Sequence, residues 1–263
     1  MGHNSVRVFF VGGVTSFRAL FNWLSPWIYI PSLLVAPIFQ ILLFAYIGRA
    51  AHVESDEFYV IGNAFQYTAI PCIFAMSSTI EGERWMQTLS SILVSPARRV
   101  PLFLGRALPV LVNGALTCVF SLVVGGAILG IHVPARAFAP LVLVVLVTAA
   151  SCTGLGLLLA GIGFLVRETA TLNNIAFGVL LVFCGVNVRL SNLPGEMETM
   201  AKGMPLTHGI EAARQLADGA SLGHVGGLVL AEAAIGAIYA TVGYAFIRVL
   251  EHQSRVHATL ERA

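Results

Sequence analysis

Six long stretches of this 263-residue chain are apolar and almost free of charge. They run over 27–47, 58–80, 107–131, 137–166, 169–188 and 225–247; the first five hold no Asp, Glu, Lys or Arg, and the sixth holds Glu232 alone. A helix needs about 20 such residues to cross roughly 30 Å of hydrocarbon, and within a bilayer only a helix or a closed barrel satisfies its own backbone. None of the six alternates with the period of two that barrel strands require. The expected class is therefore all-α, a polytopic membrane protein of six transmembrane helices in a single domain over 1–263. Composition agrees, since 11% of the residues are charged where a soluble domain carries about 25%.

Six spans place both termini on one side, and the basic residues indicate which. Arg7, Arg18, Arg84, Arg98, Arg99, Arg106, Arg167, Arg248, Arg255 and Arg262 fall on the terminal side, against Arg49, Arg136, Arg189, Lys202 and Arg214 on the other. Cytoplasmic termini in a plasma (inner) membrane are expected. The first apolar stretch, Val8 to Val14, is short, lacks a small-residue cleavage site and is soon followed by Arg18, so the N-terminus is expected to be retained. Over 5–25, Val6, Phe9, Phe10, Gly13, Val14, Phe17, Leu20, Phe21 and Leu24 recur at helical spacing opposite Arg7, Thr15, Arg18 and Asn22. That pattern predicts an interfacial helix lying along the cytoplasmic leaflet; the alternative, a seventh short span, is disfavoured by two Arg on one face and the break at Ser25-Pro26.

Within the spans, Pro31, Pro37 and Pro109 predict kinks, and the pairs Gly126/Gly130, Gly156/Ala160 and Gly236/Ala240 predict close helix packing. Cys72, Cys118, Cys152 and Cys184 sit in apolar runs without metal-ligand or disulfide spacing and read as small buried hydrophobes. A formal net charge of +2 gives no sign of a nucleic-acid partner. His3, His52, His132, His208, His224, His252 and His257 are scattered, so neither a metal centre nor a catalytic cluster is expected.

The most informative connection is 81–101, after the second span. Trp85, Met86, Leu89, Ile92 and Leu93 share one helical face, with Glu83 and Arg84 elsewhere, and Pro96 and Pro101 end the helix. It would either rest on lipid headgroups or offer its apolar ridge to a cytoplasmic groove. The segment Glu83 to Pro96, with Arg84, Thr88-Leu89 and Ser95-Pro96, resembles the first signature of ABC-2 type permeases of the daunorubicin-resistance and nodulation-factor exporter group. Pro205-Leu206-Thr207-His208, followed by Ile210 and Arg214, is similar to the second signature of that family; Trp85, Gln87 and Ser90 stand where the family usually has Glu, Gly and Glu.

The resemblance implies the membrane half of an ATP-driven exporter for an amphipathic small molecule, lipid or glycolipid, paired with a second permease copy as a homodimer or heterodimer. It further implies a separate ABC ATPase that binds ATP and Mg and docks on a coupling helix of Glu83, Arg84, Trp85, Leu89 and Ile92. The chain cannot supply that ATPase itself, because a P-loop needs Gly-Lys-Ser/Thr and the only lysine, Lys202, follows Ala201. No catalytic residue or cofactor is therefore expected in this chain. Membrane lipid is a further expected partner.

Five polar residues in the spans are candidates for a substrate pathway: Asn63, Gln66, Asn173, Asn174 and Glu232. The bland reading, favoured for the four amides, is a structural contact between helices. Glu232 also raises a second reading, a proton-coupled secondary transporter, though such proteins normally carry several ionisable groups in the membrane. The stretch 191–224 is too apolar for a plain loop and is divided by Pro194, Gly195, Gly203 and Pro205. Thr207 to Ala217 can make a short helix there; the resemblance implies a re-entrant outer hairpin acting as an outer gate, with a flat surface helix as the alternative.

Overall fold

A computed structural model describes residues 34–85, 99–131, 134–163, 165 and 169–257, with 78–85, 99–104, 106, 135 and 251–257 as backbone. Among these residues the chain forms eight α-helices and no strand: α1 (Ala36–Ala51), α2 (Asp56–Trp85), α3 (Arg99–Leu129), α4 (Ala135–Ile162), α5 (Thr169–Phe183), α6 (Gly195–Lys202), α7 (Thr207–Ala217) and α8 (Leu222–His257). The expected interfacial helix over 5–25 lies outside the described residues, as do Leu89 and Ile92. Residues 83–85 are the last of α2, so Glu83 continues the second apolar helix and does not begin a separate one.

Among the described residues four helices are long and apolar enough to cross a membrane, over Asp56–Ser77, Ala107–Leu129, Arg136–Ile162 and Leu222–Leu250. The first and fifth apolar stretches appear as shorter helices. Over the described residues α1 and α5 hold 16 and 15 residues, about 24 and 22 Å at 1.5 Å per residue. At its C-terminal end α5 stops early for a visible reason. Its expected extension to Val188 breaks after Phe183, where Gly185 turns the chain at φ +76°.

Apolar side chains hold the bundle, and its polar ones are largely consumed by their own helices. The hydroxyls of Thr117, Ser121, Thr148 and Thr153 donate to the carbonyls four residues earlier at 2.7–3.0 Å, which lets them sit at 0–7% exposure in an apolar interior. α2 is the most enclosed span, 83% of it buried, and α8 the least, at 17%. α4 packs against α2 on one side and α8 on the other.

Two of the three small-residue pairs make these contacts close. A Cβ on Gly156 would lie 2.7 Å from the Cys72 carbonyl oxygen, and one on Gly236 would lie 2.6 Å from Ser151 Cα. Gly126 and Gly130 do not pack in this way: the nearest atom to a Gly126 Cβ is the Ile131 oxygen at 3.7 Å, and Gly130 forms the turn after α3 at φ +73°. Pro109 lies inside α3, and Pro37 directly follows the two π-helical residues 34–35 and Ala36 at the start of α1.

The connections α1–α2 and α3–α4 and the segment 184–221 gather at one end of the bundle, called here the hairpin end. There the segment expected to form a hairpin holds a 3-10 turn at Leu190–Asn192 followed by α6 and α7.

Candidate functional site

Side chains from α1, α2, α5 and the segment after α5 form a polar seam through the apolar bundle. Asn63 is fully buried on α2. Its Oδ1 accepts from Gln40 Nε2 of α1 at 2.8 Å, and its Nδ2 donates to Tyr59 O and to Asn187 Oδ1, each at 2.9 Å. One turn on, Gln66 donates from Nε2 to the Phe177 carbonyl of α5 at 3.2 Å. Further along, Asn173 of α5 donates to Ser77 Oγ of α2 at 2.6 Å, and Ser77 donates to the Phe74 carbonyl. From Asn63 to Ser77 the seam follows α2 for about 21 Å.

Three of the five candidate pathway residues, Asn63, Gln66 and Asn173, thus share one interface, and Gln40, Asn187 and Ser77 join them. Gln40 and Asn187 carried a signal in the sequence, since each is a polar residue within or at the end of an apolar stretch. Asn174, next to Asn173, turns outward and is exposed. The seam also holds unspent hydrogen-bonding capacity. Gln66 Oε1 and Asn173 Oδ1 are buried acceptors with no donor, a condition that costs free energy unless some donor reaches them.

Glu232 lies elsewhere, on α8 against α7, at 1% exposure. Its Oε1 accepts the Leu206 N–H at 2.8 Å and its Oε2 the Gly209 N–H at 3.1 Å, and the Ser151 hydroxyl of α4 adjoins the carboxyl group. It serves the first turn of α7 and is not part of the α2–α5 seam.

At the other end of α7, Arg214 spreads its guanidinium over three backbone carbonyls: Gly185 at 2.7 Å, Val186 at 3.0 Å and Phe58 at 3.0 Å. The same group stands 3.5 Å from the centre of the Phe58 ring, a cation–π contact. Arg189, 5.3 Å from that ring on its own account, pairs with Glu54, Nη2 to Oε2 at 2.7 Å. The Arg189 guanidinium holds the Glu54 carboxyl below its ordinary range. Arg49 pairs with Asp56 across the α1–α2 turn.

A separate cavity of about 230 Å³ lies among α2, α3, α4 and α7, lined by residues such as Ile61, Leu122, Phe138, Leu141 and Val145. Its lining residues are apolar, so it could hold hydrocarbon but offers nothing to a polar group. Among the described residues no cluster of His, Cys, Asp or Glu is arranged to hold a metal ion.

The architecture is a helical membrane bundle, and among the described residues its polar seam presents side-chain amides and the Ser77 hydroxyl. Comparison with curated proteins returns no match. Residues 14–217, well over half of the chain, match the family model described as ABC-2 type transporter, and the chain belongs to that family.

Proposed function

We propose that this membrane permease subunit of an ABC transporter works as an exporter, with the α2–α5 seam as the path of an amphipathic small molecule, lipid or glycolipid. ATP is hydrolysed by a separate cytoplasmic subunit, and two permease copies make the working unit in the plasma membrane. The observation that carries the reading is the pair of donorless buried acceptors, Gln66 Oε1 and Asn173 Oδ1, on facing helices of the seam. A static helix contact gains nothing from leaving them unpaired; a seam that parts to admit hydroxyls, amides or water satisfies them. The uncharged amides and hydroxyl of the seam suit neutral polar groups, and the apolar walls suit the hydrocarbon part of such a substrate. Glu232 does not favour the proton-coupled alternative, because both its oxygens are engaged by backbone N–H groups and it lies off the seam.

The test is thiol accessibility. With the four native cysteines replaced, Gln66→Cys and Asn173→Cys proteins in lipid vesicles with the co-purified ATPase are treated with a small hydrophilic methanethiosulfonate, with and without ATP. Reaction that depends on the nucleotide state is expected at both positions. If neither reacts in any state while a His52→Cys control in the α1–α2 turn does, the seam is a permanent helix contact.

A further inference from the structure

α7 begins without a cap of its own. Leu206, at the cap position, has no side-chain acceptor for the free N–H groups of the first turn, and its backbone is held at φ +85°, where residues with side chains are rarely found. The missing acceptor arrives from another helix. Glu232 of α8 takes the N–H of Leu206 with one oxygen and that of Gly209 with the other, and its negative charge faces the positive end of the helix dipole. Packing fixes the same turn against α4: a Cβ on Gly209 would lie 2.0 Å from Thr148 Oγ1. The far end is fixed as firmly by Arg214, whose charge complements the negative end of the dipole while its guanidinium gathers the carbonyls of Gly185, Val186 and Phe58. Val186 precedes Asn187, and Asn187 bonds Asn63 at the head of the seam.

We propose that Glu232 is a positioning residue, and that α7 is a strut about 16 Å long through which the carboxylate on α8 fixes the hairpin end of the α2–α5 seam. Its weight in transport rests on the seam being the pathway; the mechanical link itself does not. The charges at its two ends hold different elements, α8 at the start and α2 and the α5 break at the finish, with Cys184 of that break also reaching the Pro205 carbonyl just before the start. Releasing either end frees a rigid body and therefore loosens the other. Two independent local caps would behave differently, each loosening its own turn.

Hydrogen exchange of the full chain in lipid nanodiscs, read by mass spectrometry, separates the two. Glu232→Gln keeps the shape and one acceptor but presents an NH₂ group to the second N–H. Losing a helix cap of this kind should speed exchange over 205–210 by about tenfold. In the strut, exchange over 186–189 rises as well, beyond Cys184, whose thiol reaches the Pro205 carbonyl beside the capped turn itself, while the α4 peptide 144–158 keeps its rate. Arg214→Lys supplies the reverse direction, since it keeps the charge and loses the fork; 205–210 should loosen in it. The proposal is overturned if each variant loosens only its own end, if neither changes exchange, or if α4 and α8 loosen throughout in both. Transmission between the ends together with unreactive cysteines at 66 and 173 would leave the strut standing and remove the pathway.

Discussion

Adding one methyl group at two glycines of the same helix should have opposite consequences. A Cβ on Gly236 would lie 2.6 Å from Ser151 Cα and 3.0 Å from Ser151 Cβ, whereas one on Gly227 meets nothing within 4 Å. Carbon atoms rest about 3.5–4.0 Å apart, so Gly236→Ala must part α8 from α4 by roughly 1 Å, and gaps of about 0.5–1 Å forfeit a quarter to a half of each neighbouring contact. Backbone stands in the way, so no side-chain rotation relieves the overlap. The helix-propensity gain of Gly to Ala, about 0.5–1 kcal/mol, is common to both variants and cancels in their difference. What remains is the cost of overpacking, about 1–3 kcal/mol, equivalent to roughly 2–10 °C in a chain of this size. Cys72, Cys118, Cys152 and Cys184 are all free and buried, so a thiol-reactive fluorogenic dye reports unfolding in detergent directly. Gly227→Ala should unfold at or slightly above the wild-type temperature and Gly236→Ala clearly below it. Equal unfolding temperatures would refute the close α4–α8 contact.

Leu89→Asp, which puts a charge on the apolar ridge of the expected coupling helix, should abolish association with the ATPase at a cost of several kcal/mol without affecting insertion, as read by co-purification. A cysteine at Ser90 should stay unreactive toward an impermeant reagent applied outside intact cells, and labelling there would reverse the proposed orientation. Glu54→Gln should destabilise the hairpin end by at most about 1 kcal/mol at neutral pH, because the Glu54–Arg189 pair lies at the surface. Since Arg189 lowers the Glu54 pKa from 4.5, that contribution is complete above pH 4.5 and fades as pH falls through the lowered value. The dye assay repeated at neutral and strongly acidic pH should show the variant and wild type converging in acid.

The helical class and the positions of the apolar helices were legible because lipid imposes one rule on every span, a long run without charge. Helix ends were less legible. α2 runs on to Trp85 and α3 starts at Arg99, past the edges of their apolar runs, because a helix continues into polar sequence wherever its backbone bonds remain available. The break after Phe183 went unseen, since 169–188 is uniformly apolar and the turn at Gly185 is fixed by distant residues, Arg214 among them. Asn63, Gln66 and Asn173 stood out as polar residues in apolar runs. That they face one another, whereas Asn174 faces out and Glu232 serves α7, depends on how α2, α5 and α8 are rotated against their neighbours. The spacing of one segment does not carry that information. Arg214 was visible as part of a resemblance; its three carbonyl partners come from two remote segments that no local pattern links to it.

The central claim is that this permease is driven by ATP hydrolysed on another chain. It is tested most directly by purifying the tagged protein from its native membrane in mild detergent and measuring ATP hydrolysis and subunit composition together. The account predicts a stoichiometric cytoplasmic subunit with a phosphate-binding P-loop, hydrolysis that depends on it, and loss of both in Leu89→Asp. A chain that purifies with no such subunit, and that in vesicles moves its substrate on a proton gradient without ATP, would contradict it.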